Sequence, residues 1–256
     1  MLKINNLKKH FGRVKAVDGC DFAIKENLIT ALIGPNGAGK STVFNLISGL
    51  LKADGGAITF ENKNIINLSP EKISNLGISR LFQQTRLFKN LTVLDNLLLA
   101  VDSDDTKFWK NLIGRDAIYR VSKDSKDAIN GVSTKSVDNI LELIGMTKFK
   151  NKLARDLSYG QKRLVEIGRA ILNPHTFLML DEPVAGVNPK LRQKISKILL
   201  ALKKQGETIL LIEHDMNFTF GLADRVIVMD EGKVIAQGKP AEIKNNPKVL
   251  EAYLGE

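Results

Sequence analysis

The stretch Gly34-Pro35-Asn36-Gly37-Ala38-Gly39-Lys40-Ser41-Thr42 decides which fold this 256-residue chain adopts. Residues 34–41 fit the pattern G-x-x-x-x-G-K-[ST], which is typical of a phosphate-binding loop when it follows a strand and opens a helix. Both requirements are met, because residues 28–33 are an apolar run typical of a buried strand and residues 43–47 follow a helical pattern. The stretch therefore predicts a loop that binds the phosphates of a nucleotide.

Each residue type in this loop has a physical reason. The glycines allow positive φ angles and let the backbone approach a phosphate without a Cβ clash. Successive backbone N–H groups form a cradle for an anion, and the N-terminus of the following helix adds positive potential. In such a loop we expect Lys40 to reach the β- and γ-phosphates and the Ser41 hydroxyl to bind Mg²⁺.

A second motif supplies two carboxylates after a predicted buried strand, in the sequence Phe177-Leu178-Met179-Leu180-Asp181-Glu182-Pro183. Sheets of parallel strands bind ligands at the carboxyl ends of those strands. We expect Asp181 to hold Mg²⁺, directly or through water, and Glu182 to polarise the water that attacks the terminal phosphate. Strands often end in acids, but each of these two motifs needs the other, and together they predict ATP hydrolysis.

The rest of the chain indicates an α/β fold. Four apolar runs of strand type alternate with helical patterns, at residues 28–33, 177–180, 208–212 and 226–229. This alternation predicts a mostly parallel sheet covered by helices on both faces. Residues 57–60 follow a turn signal at 54–56 and indicate a strand of a separate antiparallel part. The predicted fold is a P-loop NTPase core with an N-terminal antiparallel β part.

The middle of the chain has a different pattern, because the strand signal fades and helical patterns dominate there. We predict the core with its antiparallel part at residues 1–86 and 158–256, and a helical sub-domain at 87–157. The sub-domain carries a polar insert at 102–136. Trp109 in this insert is expected either to contact a partner or to pack on its own sub-domain.

The bulk composition limits the classes of protein that remain. A single cysteine, Cys20, excludes an internal disulfide framework. No apolar run is long enough to span a bilayer or to act as a signal peptide, so we expect a cytoplasmic chain. The formal net charge of +10 fits a nucleic-acid partner, an anionic membrane surface or simple solubility. The lysines are scattered, which favours solubility.

A further segment, Leu157-Ser158-Tyr159-Gly160-Gln161, resembles the signature motif L-S-G-G-Q of the ABC-type ATPases. Tyr159 stands where that motif has its first glycine. In this family the signature residues serve the nucleotide that is held by the opposite protomer. The resemblance therefore implies that residues 158–161 of one subunit face the Lys40 loop of another.

Other positions resemble the same family along essentially the whole chain. His214 matches the switch histidine that contacts the γ-phosphate, and Phe11 matches the aromatic residue that stacks on adenine. Gln83, with Gln84 as an alternative, matches the glutamine that senses Mg²⁺ and the attacking water. Asn188 stands where the loop after the acidic pair usually has aspartate.

Finer details resemble one subgroup of that family. The segment Arg80-Leu81-Phe82-Gln83, the polar insert and the C-terminal residues 246–256 look like ATP-binding subunits of branched-chain amino acid importers. Urea or amide importers and lipopolysaccharide-export ATPases share several of these features, so they stay open as alternatives.

The resemblance implies a peripheral ATPase on the cytoplasmic face of the cell membrane. Its expected cofactors are ATP and Mg²⁺. Its expected partners are a second ABC ATPase subunit, identical or homologous, separate membrane permease subunits and, indirectly, a solute-binding protein, with no nucleic acid. A soluble ABC ATPase outside transport and a module that binds ATP without turnover are the other classes. Intact Glu182 and His214 argue against the second of these.

Overall fold

The computed structural model of this protein describes residues 1–82, 87–101 and 133–254. These residues form two compact units, one from within 1–83 and 175–256 and the other from within 84–174. Gln83, Gln84, Trp109 and most of the predicted insert lie outside the described residues. None of the described helices combines the length and the hydrophobicity that crossing a bilayer requires.

The strands of the described chain all belong to the first unit. They are β1 (Leu2–Phe11), β2 (Val14–Ile24), β3 (Ile29–Ile33), β4 (Gly55–Phe60), β5 (Lys63–Asn64), β6 (Ile78–Leu81), β7 (Phe177–Asp181), β8 (Thr208–Ile212), β9 (Arg225–Asp230) and β10 (Lys233–Gly238). The helices of this unit are α1 (Lys40–Ile47), α2 (Pro70–Asn75), α6 (Pro189–Lys204), α7 (Met216–Leu222), α8 (Pro240–Lys244) and α9 (Pro247–Leu254). The second unit contributes α3 (Val93–Leu98), α4 (Ser133–Leu143) and α5 (Tyr159–Leu172).

The larger sheet has the strand order β10-β9-β3-β8-β7-β6. Strand β10 pairs antiparallel with β9 at one edge, and every other neighbouring pair is parallel. All residues of β3, β7 and β8 are buried, which explains why these strands read as continuous apolar runs. The prediction of a mostly parallel sheet is confirmed. Because β3, β8 and β7 are neighbours, their carboxyl ends lie side by side.

The smaller sheet has the order β2-β1-β4-β5 and is antiparallel throughout. It contains the strand predicted at residues 57–60, so the predicted antiparallel part is confirmed. Phe60 from this sheet packs against Phe177 from β7, with 6.0 Å between the ring centroids. Apolar side chains of both sheets and of α1 thus share one core.

The described part of the second unit is helical, and the unit continues further along the chain than residue 157, where the predicted sub-domain ends. The unit includes α5 and stops at Pro174. Gly168 of α5 explains this, because a Cβ added there would lie 3.0–3.1 Å from side-chain atoms of Leu97, Ile140 and Ile144. Helix α5 packs closely on α3 and α4. The pattern of its sequence predicts a helix but does not predict these packing partners.

Candidate active site

The predicted phosphate loop connects the end of β3 to the start of α1. Gly39 has a φ of 94°, and a Cβ there would lie 2.2 Å from the backbone oxygen of Ala16. Gly34 has a φ of 149°, and a Cβ there would lie 2.0 Å from the backbone oxygen of Met229. Both positions therefore require glycine, for conformation and for space. Asn36 and Gly37, at the tip of the loop, are exposed.

The first turn of α1 has no side-chain cap. Its N-cap residue is Gly39, and no side chain accepts a hydrogen bond there. Ser69, Asn188 and Asp215, by contrast, each cap their own helix through a side-chain oxygen. An uncapped helix start presents N–H groups and positive potential to an anion. This end of α1, which carries exposed Ser41 and the adjoining Thr42, is suited to a phosphate group.

Lys40 lies inside the loop that precedes it. Its Nζ donates hydrogen bonds to the backbone oxygens of Gly34 and Pro35, both at 2.8 Å. Burial lowers the pKa of Lys40, and the negative charge of Glu182 acts in the opposite direction. The phosphate loop follows β3 and Glu182 follows β7, so both lie at the edge of the sheet where the carboxyl ends of the parallel strands β3, β8 and β7 meet.

The two acids after β7 occupy different environments. Asp181 is buried and forms an ion pair with Arg80, with 2.9 Å between Oδ2 and Nη2. Glu182 has a φ of 49°, in the left-handed region, and its N–H donates to the backbone oxygen of Ile212 at 3.0 Å. A non-glycine residue in this conformation costs about 1–3 kcal/mol and persists only where its surroundings hold it.

His214 follows β8 and meets the acidic pair from the neighbouring strand. Its Nε2 lies 2.9 Å from Oε1 of Glu182. The His214 side chain is 44% exposed and that of Glu182 is 16% exposed, so the pair borders solvent. The structure thus brings together Glu182 and His214, two residues that were predicted from separate motifs.

Two side chains near this site carried no assigned role in the sequence. Glu213 is 3% exposed and accepts hydrogen bonds from the N–H groups of Val184, at 2.8 Å, and His214, at 3.3 Å. Burial raises the pKa of Glu213 to about 7. Arg80, the partner of Asp181, is the other. A charged residue inside the apolar strand β6 and an acid directly after the apolar strand β8 are the signals that could have identified them.

The segment that resembles the signature motif lies in the second unit. Ser158 caps α5, because its Oγ accepts from the N–H of Gln161 at 3.3 Å. The Gln161 side chain in turn accepts from the N–H of Ser158 at 2.9 Å. Tyr159 is half exposed, and Gly160 follows it in the first turn. The side chains of Ser158 and Gln161 therefore cap the start of this helix.

Two more predicted residues have defined positions, and one does not. Phe11 ends β1 and is 48% exposed, with Nζ of Lys9 5.4 Å from its ring centroid. Asn188 caps α6 by accepting from the N–H of Leu191 at 2.9 Å. Gln83 lies outside the described residues, so its predicted catalytic and metal-binding roles stay predictions.

Comparison with known proteins identifies the family. The family described as ABC transporter matches residues 17–185, and the one described as branched-chain amino acid ATP-binding cassette transporter matches residues 233–256. The chain is 39% identical to the high-affinity branched-chain amino acid transport ATP-binding protein LivG of Salmonella typhimurium, over 100% of this chain and 98% of that protein.

Solved structures agree with these matches. The ADP conformation of MJ1267, an ATP-binding cassette of an ABC transporter, has a TM-score of 0.84 and 37% identity, over 100% of this chain and 99% of that one. The dimeric post-hydrolysis state of the ATP-binding cassette MJ0796, bound to ADP and Pi, has a TM-score of 0.75 and 26% identity, over 94% and 99%. The chain therefore belongs to the ABC transporter family and is one of its ATP-binding cassettes.

Proposed function

We propose that this chain is the ATP-hydrolysing subunit of an importer of branched-chain amino acids. The observation that carries hydrolysis is the position of His214, after β8, whose Nε2 lies 2.9 Å from Oε1 of Glu182, after the neighbouring strand β7. The match at residues 233–256 and the similarity to LivG support the solute class over urea, amides or lipopolysaccharide.

The chemistry follows from the positions of three side chains. Glu182 would take up or orient a proton of the attacking water, and His214, 2.9 Å from it, would hold the carboxylate and contact the terminal phosphate. Lys40 would exchange its bonds to two loop carbonyls for bonds to the β- and γ-phosphates. The Lys40 ammonium gains most as negative charge develops on the phosphates during the transfer.

A magnesium ion fits the residues beside the loop. The Ser41 hydroxyl and the Asp181 carboxylate are the hard oxygen donors that Mg²⁺ prefers, with phosphate oxygens and water completing its shell. In the described part of the chain there is no cluster of three or more His, Cys, Asp or Glu side chains suited to a metal ion. When bound, the ion would neutralise the charge that develops on the phosphates.

The proposed assembly is a head-to-tail pair of cassettes on the cytoplasmic face of the membrane. A pair would supply Ser158 and Gly160 of one subunit to the nucleotide on the other. The dimeric state of MJ0796 with ADP and Pi supports such a pair. Separate permease subunits would dock on each cassette, and a solute-binding protein would act outside the membrane.

The test is transport by the assembled complex. The permease chains are first identified by co-purification with this chain and are then co-expressed with it. The complex is reconstituted into vesicles with its solute-binding protein. We expect ATP-dependent uptake of radiolabelled leucine, with no uptake when ATP is omitted. ATP hydrolysis together with uptake of urea and not leucine would contradict the proposed solute. Purification without any membrane chain would contradict the role in transport.

A further inference from the structure

Arg80 of β6 contacts three polar side chains from two other elements. Its Nη1 donates to Oδ1 of Asn45 on α1 at 2.9 Å and to Oγ of Ser48, the C-cap residue of that helix, at 2.6 Å. Its Nη2 donates to Oδ2 of Asp181 at 2.9 Å, at the end of β7. One guanidinium group therefore connects the helix that follows the phosphate loop to the acidic pair.

The surroundings hold this guanidinium in one orientation. The Arg80 side chain is 7% exposed, and its Cζ lies 5.5 Å from the ring centroid of Phe44 and 5.0 Å from that of Phe82. Aromatic faces attract a cation at this distance. The Ser48 hydroxyl donates to the backbone oxygen of Phe44 at 2.8 Å, so it is oriented to accept from Arg80.

The two elements that Arg80 joins carry the two described candidates for the magnesium site. Helix α1 begins at Lys40 and carries Ser41, and β7 ends in Asp181. An octahedral Mg²⁺ demands near-ideal geometry, so the donors from these elements must keep a fixed relation. Residues that orient metal ligands in this way strongly influence metal affinity.

We propose that Arg80 is a positioning residue of the magnesium site, which holds the Asp181 carboxylate and α1 in the relation that lets Asp181 and Ser41 serve one metal ion. This inference rests on the proposed function, in which Asp181 and Ser41 bind Mg²⁺. Arginine is required because a planar fork can donate to three acceptors in fixed directions, whereas a lysine ammonium acts as a point charge.

The test measures metal dependence rather than turnover. The dissociation constant of the fluorescent nucleotide MANT-ADP is determined with the full chain, in excess Mg²⁺ and in EDTA. Arg80→Met should weaken binding in Mg²⁺ by about tenfold and leave binding in EDTA unchanged, because only the metal donors lose their alignment. Arg80→Lys should give a smaller loss, again only in Mg²⁺. It also keeps the test valid if the methionine variant does not fold.

Two further variants complete the design. Arg225→Met is the matched control, because Arg225 lies on β9 and donates to Gln237 at 3.2 Å, outside the site. It should bind as the unchanged protein does. Asp181→Asn should lose the effect of Mg²⁺, as the proposed function requires. Retention of that effect by Asp181→Asn would show that the proposed metal role is wrong, and the role of Arg80 would fall with it.

Two other results would contradict the role of Arg80 and leave the proposed metal site intact. One is an Arg80 variant that binds MANT-ADP normally in Mg²⁺, although Asp181→Asn does not. The other is equal weakening in Mg²⁺ and in EDTA, which would indicate a general structural contribution of Arg80.

Discussion

The N-termini of α1 and α5 differ in whether side chains accept hydrogen bonds from their first backbone N–H groups. Helix α5 begins with a capping box. The Ser158 side chain accepts a hydrogen bond from the N–H of Gln161, and the Gln161 side chain accepts one from the N–H of Ser158. Helix α1 follows its N-cap residue Gly39 and has no side-chain cap. A helix start that leaves its N–H groups without a cap is arranged for a ligand, here the phosphates of a nucleotide. The comparison suggests changes that should affect ligand binding at α1 and stability at α5.

The largest effect is expected from Gly39→Ala, which tests whether the open start of α1 depends on glycine. The new Cβ would lie 2.2 Å from the backbone oxygen of Ala16, at a residue whose φ is 94°. We expect the free energy of unfolding in urea to fall by about 3–5 kcal/mol, from clash and backbone strain together. Gly12→Ala is the control, since Gly12 also has a positive φ but its Cβ would meet nothing within 4 Å. Equal losses in the two variants would contradict the steric argument.

Lys40→Met removes the charge beside the open start of α1 and keeps most of the apolar stem. We expect the affinity for ATP to fall about a hundredfold, corresponding to about 3 kcal/mol, because charged hydrogen bonds to two phosphates are lost. Fluorescence titration with MANT-ATP measures this. Lys203→Met, which removes a lysine paired with Asp224, should bind ATP normally. Unchanged affinity in Lys40→Met would remove the phosphate-binding role of Lys40.

Glu213→Gln tests how the ionisation of the buried Glu213 carboxyl makes the free energy of unfolding depend on pH. The pKa of Glu213 is raised from 4.5 to about 7, so the folded protein binds a proton there that the unfolded chain has released. The free energy of unfolding should therefore fall as pH rises from 4.5 to 7, by up to about 3 kcal/mol. The variant cannot ionise, so it should lack this part of the decline. Urea denaturation at pH 5 and pH 8 measures the difference, and parallel curves would contradict the assignment.

Ser158→Ala should have the smallest effect on stability. It removes the side-chain cap of α5, and such a loss costs about 1 kcal/mol. Ser158→Asp, which restores a capping side chain, should recover most of the loss in thermal or urea denaturation. A destabilisation as large as that of Gly39→Ala would show that the two helix starts do not differ as described.

Residues whose role is local could be predicted from the sequence, and residues whose role depends on long-range contacts could not. The phosphate loop and the strands at 208–212 and 226–229 have local signatures, and the structure has those strands as Thr208–Ile212 and Arg225–Asp230. Arg80 reaches Asp181, which is 101 positions away in the chain, and no local pattern encodes that ion pair. The extent of the second unit also depends on such contacts, since Gly168 meets α3 and α4 only after folding.

The central claim is that the phosphate loop and Glu182 act on one nucleotide, the loop by binding it and Glu182 by activating water. Glu182→Gln tests it directly, with ATP affinity and ATP turnover measured on the same preparation and Glu61→Gln, an exposed glutamate, as control. We predict unchanged affinity for ATP and turnover lowered by about a thousandfold. Turnover at the rate of the unchanged protein would contradict the claim.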